Sequence, residues 1–276
     1  MLVFGYANEL DCSKSHRRPG SQTGPGQFCR VVKFSPLRAI NDHHTAYIDC
    51  FEYMGVDSEQ YKAASYIGNL NALHEHCRRG DLKICIGGDN SALSVMAQAD
   101  PDFDVLIKIS PNLSRGICEK EEDINHQNYV SCINETLRSK IVHFGILDYT
   151  CSNSEVRSVI EEDKAKIVYL DKFEKSNLKA FSELLSSFSS TTKMGVMIDC
   201  ESLTPDYFPG VTTPSVFGLQ EKEIFGIMEK LGSLDINLKI LLFTNFNPTV
   251  ESRRTGDVLT YLIHTLLSKI SNKATI

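Results

Sequence analysis

The stretch Lys193-Met194-Gly195-Val196-Met197-Ile198-Asp199-Cys200-Glu201-Ser202-Leu203-Thr204-Pro205 decides the fold. It begins as a short apolar run and ends in acidic and small polar residues. A non-alternating run of this kind reads as a strand buried on both faces. Polar residues at its carboxyl end fall where open parallel sheets place their chemistry. Other stretches repeat the pattern: Leu82–Ile86 leads into Gly87-Gly88-Asp89-Asn90-Ser91, and Asp104–Ile109 into Ser110-Pro111-Asn112-Leu113-Ser114. Leu238–Thr244 likewise ends in Asn245-Phe246-Asn247-Pro248.

Further strands are expected at Arg30–Phe34, Ala46–Phe51, Lys140–Ile146 and Lys166–Leu170. Helices are expected between the strands, at Ser58–Arg78, Ala92–Gln98, Gln127–Arg138, Ser154–Glu162, Leu178–Phe188, Lys222–Leu231 and Thr255–Leu267. This β-α alternation predicts a mostly parallel sheet covered by helices on both sides. No linker, repeat or shift in composition divides residues 30–276, which read as one α/β domain. Residues 8–28 are rich in Gly, Ser, Pro and Arg, so 1–29 is expected to be an N-terminal arm or loop.

Composition narrows the function classes. An apolar fraction of 42% over 276 residues supplies a sizeable core. The net charge of -6 leaves no basic face for nucleic acid or an anionic membrane. Apolar runs such as Ile240–Phe243 are too short to span a bilayer, and the first residues lack a signal-peptide pattern. The nine cysteines are scattered, odd in number and free of Cys-x-x-Cys pairs, which argues against a disulfide framework and for a reducing, cytoplasmic setting.

In their order these motifs resemble the ureohydrolase superfamily of arginases, agmatinases and formiminoglutamases, from about Val31 to Leu267. Gly87-Gly88-Asp89-Asn90-Ser91 is similar to that family's Gly-Gly-Asp-His-Ser, and Ser110-Pro111-Asn112-Leu113-Ser114 stands in place of its Asp-Ala-His-x-Asp. Asp199-Cys200-Glu201 with Ser202–Pro205 resembles its Asp-x-Asp-x-x-Asp-Pro. Pro209-Gly210-Val211-Thr212-Thr213-Pro214 and Gly218-Leu219 follow as in the family. Asn245-Phe246-Asn247-Pro248 takes the place of Glu-x-Asn-Pro, and Tyr47-Ile48-Asp49-Cys50 that of an early Asp-bearing strand. The resemblance implies a single three-layer α-β-α domain with an eight-stranded, mostly parallel sheet.

The resemblance also implies a hydrolase of C–N bonds in linear amidines. Family enzymes hold two manganese ions bridged by a hydroxide, on carboxylate and imidazole ligands. Here the ligand positions are Asn90, Ser110, Asn112, Ser114, Asp199 and Glu201, of which only Asp199 and Glu201 remain strong ligands. Asn245 replaces the carboxylate that holds the substrate cation, and His126 sits like a mobile proton-shuttling histidine. Two dications would repel with so little compensating charge. The manganese cluster is therefore expected to be lost, with no cofactor in its place.

Each site residue also has a plainer reading. Asp89 is expected to cap the following helix, though it could also bind beside Asp199 and Glu201. Ser110 and Ser114 have no nearby base and read as inert loop residues. Asp199 and Glu201 read as a buried acidic pair bonded to backbone amides and Arg. Cys200 lies between carboxylates, so its thiol should be sluggish. Arg115, Arg253 and Arg254 could bind an anion or form surface ion pairs. The expected function is that of a catalytically inactive family member acting in binding, assembly or regulation, as a homo-oligomer or with an active or structural partner. The alternatives are a hydrolase with a rebuilt, mononuclear site and a sensor of a small metabolite.

Overall fold

A computed structural model describes residues 2–7, 18–34, 53–55, 82–99, 102–119, 124–173 and 176–274. Its strands are β1 (Leu2–Ala7), β2 (Tyr53–Gly55), β3 (Lys83–Gly87), β4 (Val105–Ile109), β5 (Ile141–Ile146), β6 (Lys166–Tyr169), β7 (Lys193–Asp199) and β8 (Asn237–Thr244). All pair in parallel, in the order β2-β1-β3-β8-β7-β4-β5-β6. Strands β3 to β8 form the main body of the sheet, and β1 and β2 extend it past β3. The register sets Ile109 against Ile198 and Asp199 against Thr244. Every residue of β3, β4 and β5 is buried, as strands covered on both faces require.

The helices are α1 (Gly24–Phe34), α2 (Ala92–Ala99), α3 (Glu135–Arg138), α4 (Asn153–Arg157), α5 (Asn177–Ser186), α6 (Glu221–Ser233) and α7 (Arg253–Ala274). A π turn, Ser158–Glu162, continues α4. In α6 the buried residues Ile224, Ile227, Met228 and Leu231 follow the helical period, and Gln220 with Glu223 forms a capping box. In α7 the buried residues Leu259, Leu262, Ile263 and Leu266 keep the same spacing. These two stripes meet in one core with Val196 and Ile198 of β7 and Leu241 and Phe243 of β8.

Some expectations need correction. Arg30–Phe34 is the end of α1, not a strand. Pro25 fits the first turn of that helix, and α1 packs on α7, β1 and β3. Tertiary packing thus overrides a weak local preference for strand. Residues 1–29 are not simply an arm, since β1 pairs with β2 and β3 and α1 begins at Gly24.

Only Glu135–Arg138 of the expected helix Gln127–Arg138 is helical. Asn125 accepts from the Gln127 N–H, Asn128 from Asn125 and Asn134 from Leu137, so side chains capture the amides and restart the chain. The same region brings Cys118 and Cys132 into a disulfide, their Cα atoms 6.4 Å apart, although the cysteine count and spacing argue against a disulfide framework. Backbone bonds from Gly116 to Gln127 and from Val130 to Ser114 align the two segments. Ala46–Phe51 and Ser58–Arg78 lie outside the described residues. Among the described residues no helix is long and apolar enough to cross a membrane.

Candidate functional site at four adjacent strand ends

Strands β3, β8, β7 and β4 are consecutive neighbours, so their carboxyl ends gather Asn90, Asn245, Asp199 and Ser110 into one buried cluster. Asp199 is its centre. Oδ2 accepts from Asn90 Nδ2 at 2.7 Å and Ser110 Oγ at 3.0 Å, and Oδ1 accepts from Asn245 Nδ2 at 2.9 Å and the Glu201 N–H at 3.0 Å. A carboxylate offers about four lone-pair sites, and these donors fill them. Thr244 Oγ1 donates to Asn90 Oδ1 at 2.5 Å, which turns the Asn90 amide nitrogen toward Asp199. The expected Arg partner of Asp199 is replaced by neutral side chains.

The other vestigial positions surround this core. Glu201 is buried, and its Oε1 accepts the Thr213 N–H at 2.9 Å. The Asn112 N–H reaches Ser110 Oγ at 3.4 Å. Ser114 has a left-handed backbone, φ 58, and its buried hydroxyl has no hydrogen-bond partner among the described residues. Asn245 is also left-handed, φ 61, a conformation that Asn tolerates. Asp89 accepts from the Ser91 N–H at 2.9 Å and from the Ser91 hydroxyl, which shapes the turn ahead of α2, whose first residue is Ala92.

Three residues near this core escape the sequence reading. Lys108 on β4 is wholly buried; its Nζ donates to the Asn112 carbonyl and lies 5.5 Å from the centre of the Tyr129 ring. Burial lowers the Lys108 pKa to about 8, against the opposing pull of Asp199. The Tyr129 hydroxyl lies beside Ser110 and Ser114, without a well-aligned hydrogen bond to either; burial and then the Asp199 charge push its pKa well up. His143 on β5 is paired in register with Lys108. Burial first, then the Lys108 and Arg115 charges, hold His143 well below the usual histidine range, and neither ring nitrogen has a partner among the described residues. The available signal was a lysine inside a strand whose pattern demands burial on both faces.

A cleft of about 680 Å³ opens beside the cluster, with Asn112, Ser114, His126, Thr150, Glu155 and Glu201 in its wall. His126 thus reaches the same opening as three vestigial ligand positions. Arg115 also lines it, but its guanidinium binds Asp163 at 2.8 and 3.1 Å and Glu162 at 3.2 Å. Its ion-pair reading therefore holds. Arg253 and Arg254 are exposed at the start of α7. Cys200 is buried, and burial followed by Asp199 and Glu201 pushes its thiol pKa far up, as expected.

The glycines of the later motifs serve packing. A Cβ on Gly210 would meet the Glu251 carbonyl oxygen at 2.2 Å, and one on Gly218 would meet the Ser202 carbonyl oxygen at 2.7 Å. Asn247 donates its backbone N–H to the Gly210 carbonyl at 2.7 Å and its side chain to the Arg18 and Pro19 carbonyls at 3.2 and 3.0 Å. The Asn-Pro segment thus secures the N-terminal stretch to the strand ends.

Fold and cluster together define a parallel α/β protein with its polar centre at adjacent strand ends. A model of the Arginase family matches residues 2–268, and the chain belongs to that family. Among curated proteins no sequence matches. Among solved structures the chain is similar to formiminoglutamase of Trypanosoma cruzi with Mn2+, at 18% identity and a TM-score of 0.76, covering 97% of this chain and 92% of that one. It is also similar to a putative agmatinase from Clostridium difficile, at 17% identity and TM-score 0.77, with 99% and 97% covered. For arginase from Bacillus subtilis the figures are 20% identity, TM-score 0.72, and 97% and 98% covered.

The residues present do not fit a pair of manganese ions. Asp199 has its lone pairs filled by protein donors. Asn90 turns its amide nitrogen, a non-ligand, toward the centre. Ser110 and Ser114 offer neutral hydroxyls, and the Lys108 ammonium already lies nearby. Hard dications need several anionic oxygens or imidazoles.

Proposed function

We propose that this chain is a non-hydrolytic member of the Arginase family, a pseudoenzyme that uses the inherited fold and cleft for binding, assembly or regulation of a partner in the cytoplasm. One observation carries the reading: both oxygens of Asp199 are saturated by Asn90, Ser110, Asn245 and the Glu201 N–H. A metal would have to displace hydrogen bonds inside a buried site, where a broken bond is costly. Asn245 adds to this, since a neutral amide cannot hold a substrate cation as a carboxylate does.

The cleft supports a ligand-binding role. Its wall includes the hydroxyl-bearing residues Thr150, Ser152 and Ser154, which suit a small polar molecule. Assembly is supported by exposed Tyr149, Phe173, Val216 and Phe217. Lys172 Nζ lies 5.6 Å from the Tyr149 ring centre and 5.8 Å from that of Phe217, so both rings flank one lysine. Exposed apolar groups gathered in this way mark contact surfaces.

The test is elemental analysis of the purified chain, with assays for urea from arginine and agmatine and for formamide from formiminoglutamate. The expected result is no stoichiometric manganese and no product above background. About two manganese ions per chain, or turnover abolished by Asp199→Ala, overturns the reading.

A further inference from the structure

We propose that Lys108 is an internal cation that balances Asp199, so that one covalently attached ammonium stands in for the charge of the metal centre. This deepens the metal-free reading and rests on it. Lys108 is wholly buried on an interior strand, two residues behind Ser110 and on the same face of the sheet. The register pairs Lys108 with Met197, so Asp199, two residues further along β7, opposes Ser110. The Lys108 side chain therefore leaves the same face of the sheet that carries Ser110 and Asp199.

A buried ammonium without compensation is very unfavourable, and two groups supply what it needs. The Asn112 carbonyl accepts from Nζ, and the face of the Tyr129 ring lies 5.5 Å from it. Both favour a cation over a neutral amine. Tyr129 is itself fully buried, with its hydroxyl beside Ser110 and Ser114, so one side chain covers the lysine and fills space among the vestigial ligand positions. Among the described residues no carboxylate pairs directly with Nζ, and Asp199 lies on the neighbouring strand, two residues further along the same face. On the carboxylate side every direct partner of Asp199 among the described residues is neutral, so hydrogen bonding alone leaves its charge unbalanced. The arrangement divides the work. Neutral donors fill the lone pairs of the carboxylate, and the lysine supplies the charge.

The test is a double-mutant cycle on the full chain, made of Lys108→Met, Asp199→Asn and the double variant, read by thermal unfolding. Lys108→Met should lower the midpoint by about 5–10 °C in the wild-type background. In the Asp199→Asn background the same change should cost less than half as much, because the charge it balances is gone. Equal costs in the two backgrounds overturn the proposal. Should Lys108→Met fail to accumulate as folded protein, a folded double variant supports the coupling, and failure of both overturns it. Manganese found in the wild-type chain refutes the metal-free reading, whereas a cycle without coupling in a metal-free chain refutes only the role of Lys108.

Discussion

Asn90 donates its side-chain amide to Asp199 at 2.7 Å, and Thr244 fixes the direction of that amide from its other side. The pair spans β3 and β7 across β8, so a single bond reports on the registration of three strands. Its polarity matters as much as its length. An amide donor meets a filled carboxylate, where a metal-binding centre would present acceptors only.

Asn90→Asp reverses that polarity at nearly constant volume. Two buried carboxylates would then face each other, and the Thr244 hydroxyl could serve only one of them. The variant is expected to lose about 3 kcal/mol of stability at neutral pH, measured by urea unfolding. A loss under about 1 kcal/mol would mean that the amide is not holding the carboxylate.

Chelation should leave the protein unchanged. Metalloproteins draw folding free energy from the ion, and stripping it leaves like-charged ligands repelling one another. Here Asn90, Ser110, Asn112 and Ser114 are neutral, and Asp199 is bonded within the chain. Thermal midpoints with and without a strong chelator should agree within about 1 °C. A fall of several degrees would mean that a structural ion is present.

Much of this layout was legible because it is local. The runs ending at Ile86, Ile109, Asp199 and Thr244 read as buried strands, and each strand lies within one residue of its expected bounds. The ligand positions follow directly from those ends. What was not legible depends on distant partners. Val31 and Phe34 favour a strand by themselves, and only packing on α7 makes that segment helical. The strand pattern around Lys108 points to burial, but what accommodates its ammonium there, the ring of Tyr129, comes from a segment after β4. The short α3 was hidden because Asn125, Asn128 and Asn134 look helical by spacing yet bind backbone amides.

Asp163 anchors the wall of the cleft through two guanidiniums. Its side chain is 1% exposed and meets Arg115 and Arg138, each at 2.8 Å. Burial alone would raise its carboxyl pKa, but the two arginines outweigh burial and hold it low. A carboxylate lowered in this way contributes stability that is present above the unfolded value of about 4 and lost as pH falls through the folded one. Asp163→Asn should cost about 2–4 kcal/mol at pH 7, with the cost shrinking in acid. A cost independent of pH would rule out the ionic contribution.

His143 gives the clearest pH signature. It is buried, both ring nitrogens lack partners among the described residues, and burial with the Lys108 and Arg115 charges holds its pKa well below the usual range. The unfolded chain takes up a proton near pH 6.5 while the folded chain does not. Protonation therefore favours unfolding, and below about pH 6.5 stability should fall by up to about 1.4 kcal/mol per pH unit from this residue alone. Replacing it with an apolar side chain of similar size removes both the unpaired nitrogens and the titration. His143→Leu should match or exceed wild-type stability at pH 7, since no hydrogen bond is lost. At pH 5 it should exceed wild type by about 2 kcal/mol more than it does at pH 7. Urea unfolding of both proteins across this range provides the check. Parallel profiles would show that His143 is charged in the folded chain, with a partner that balances the neighbouring Lys108.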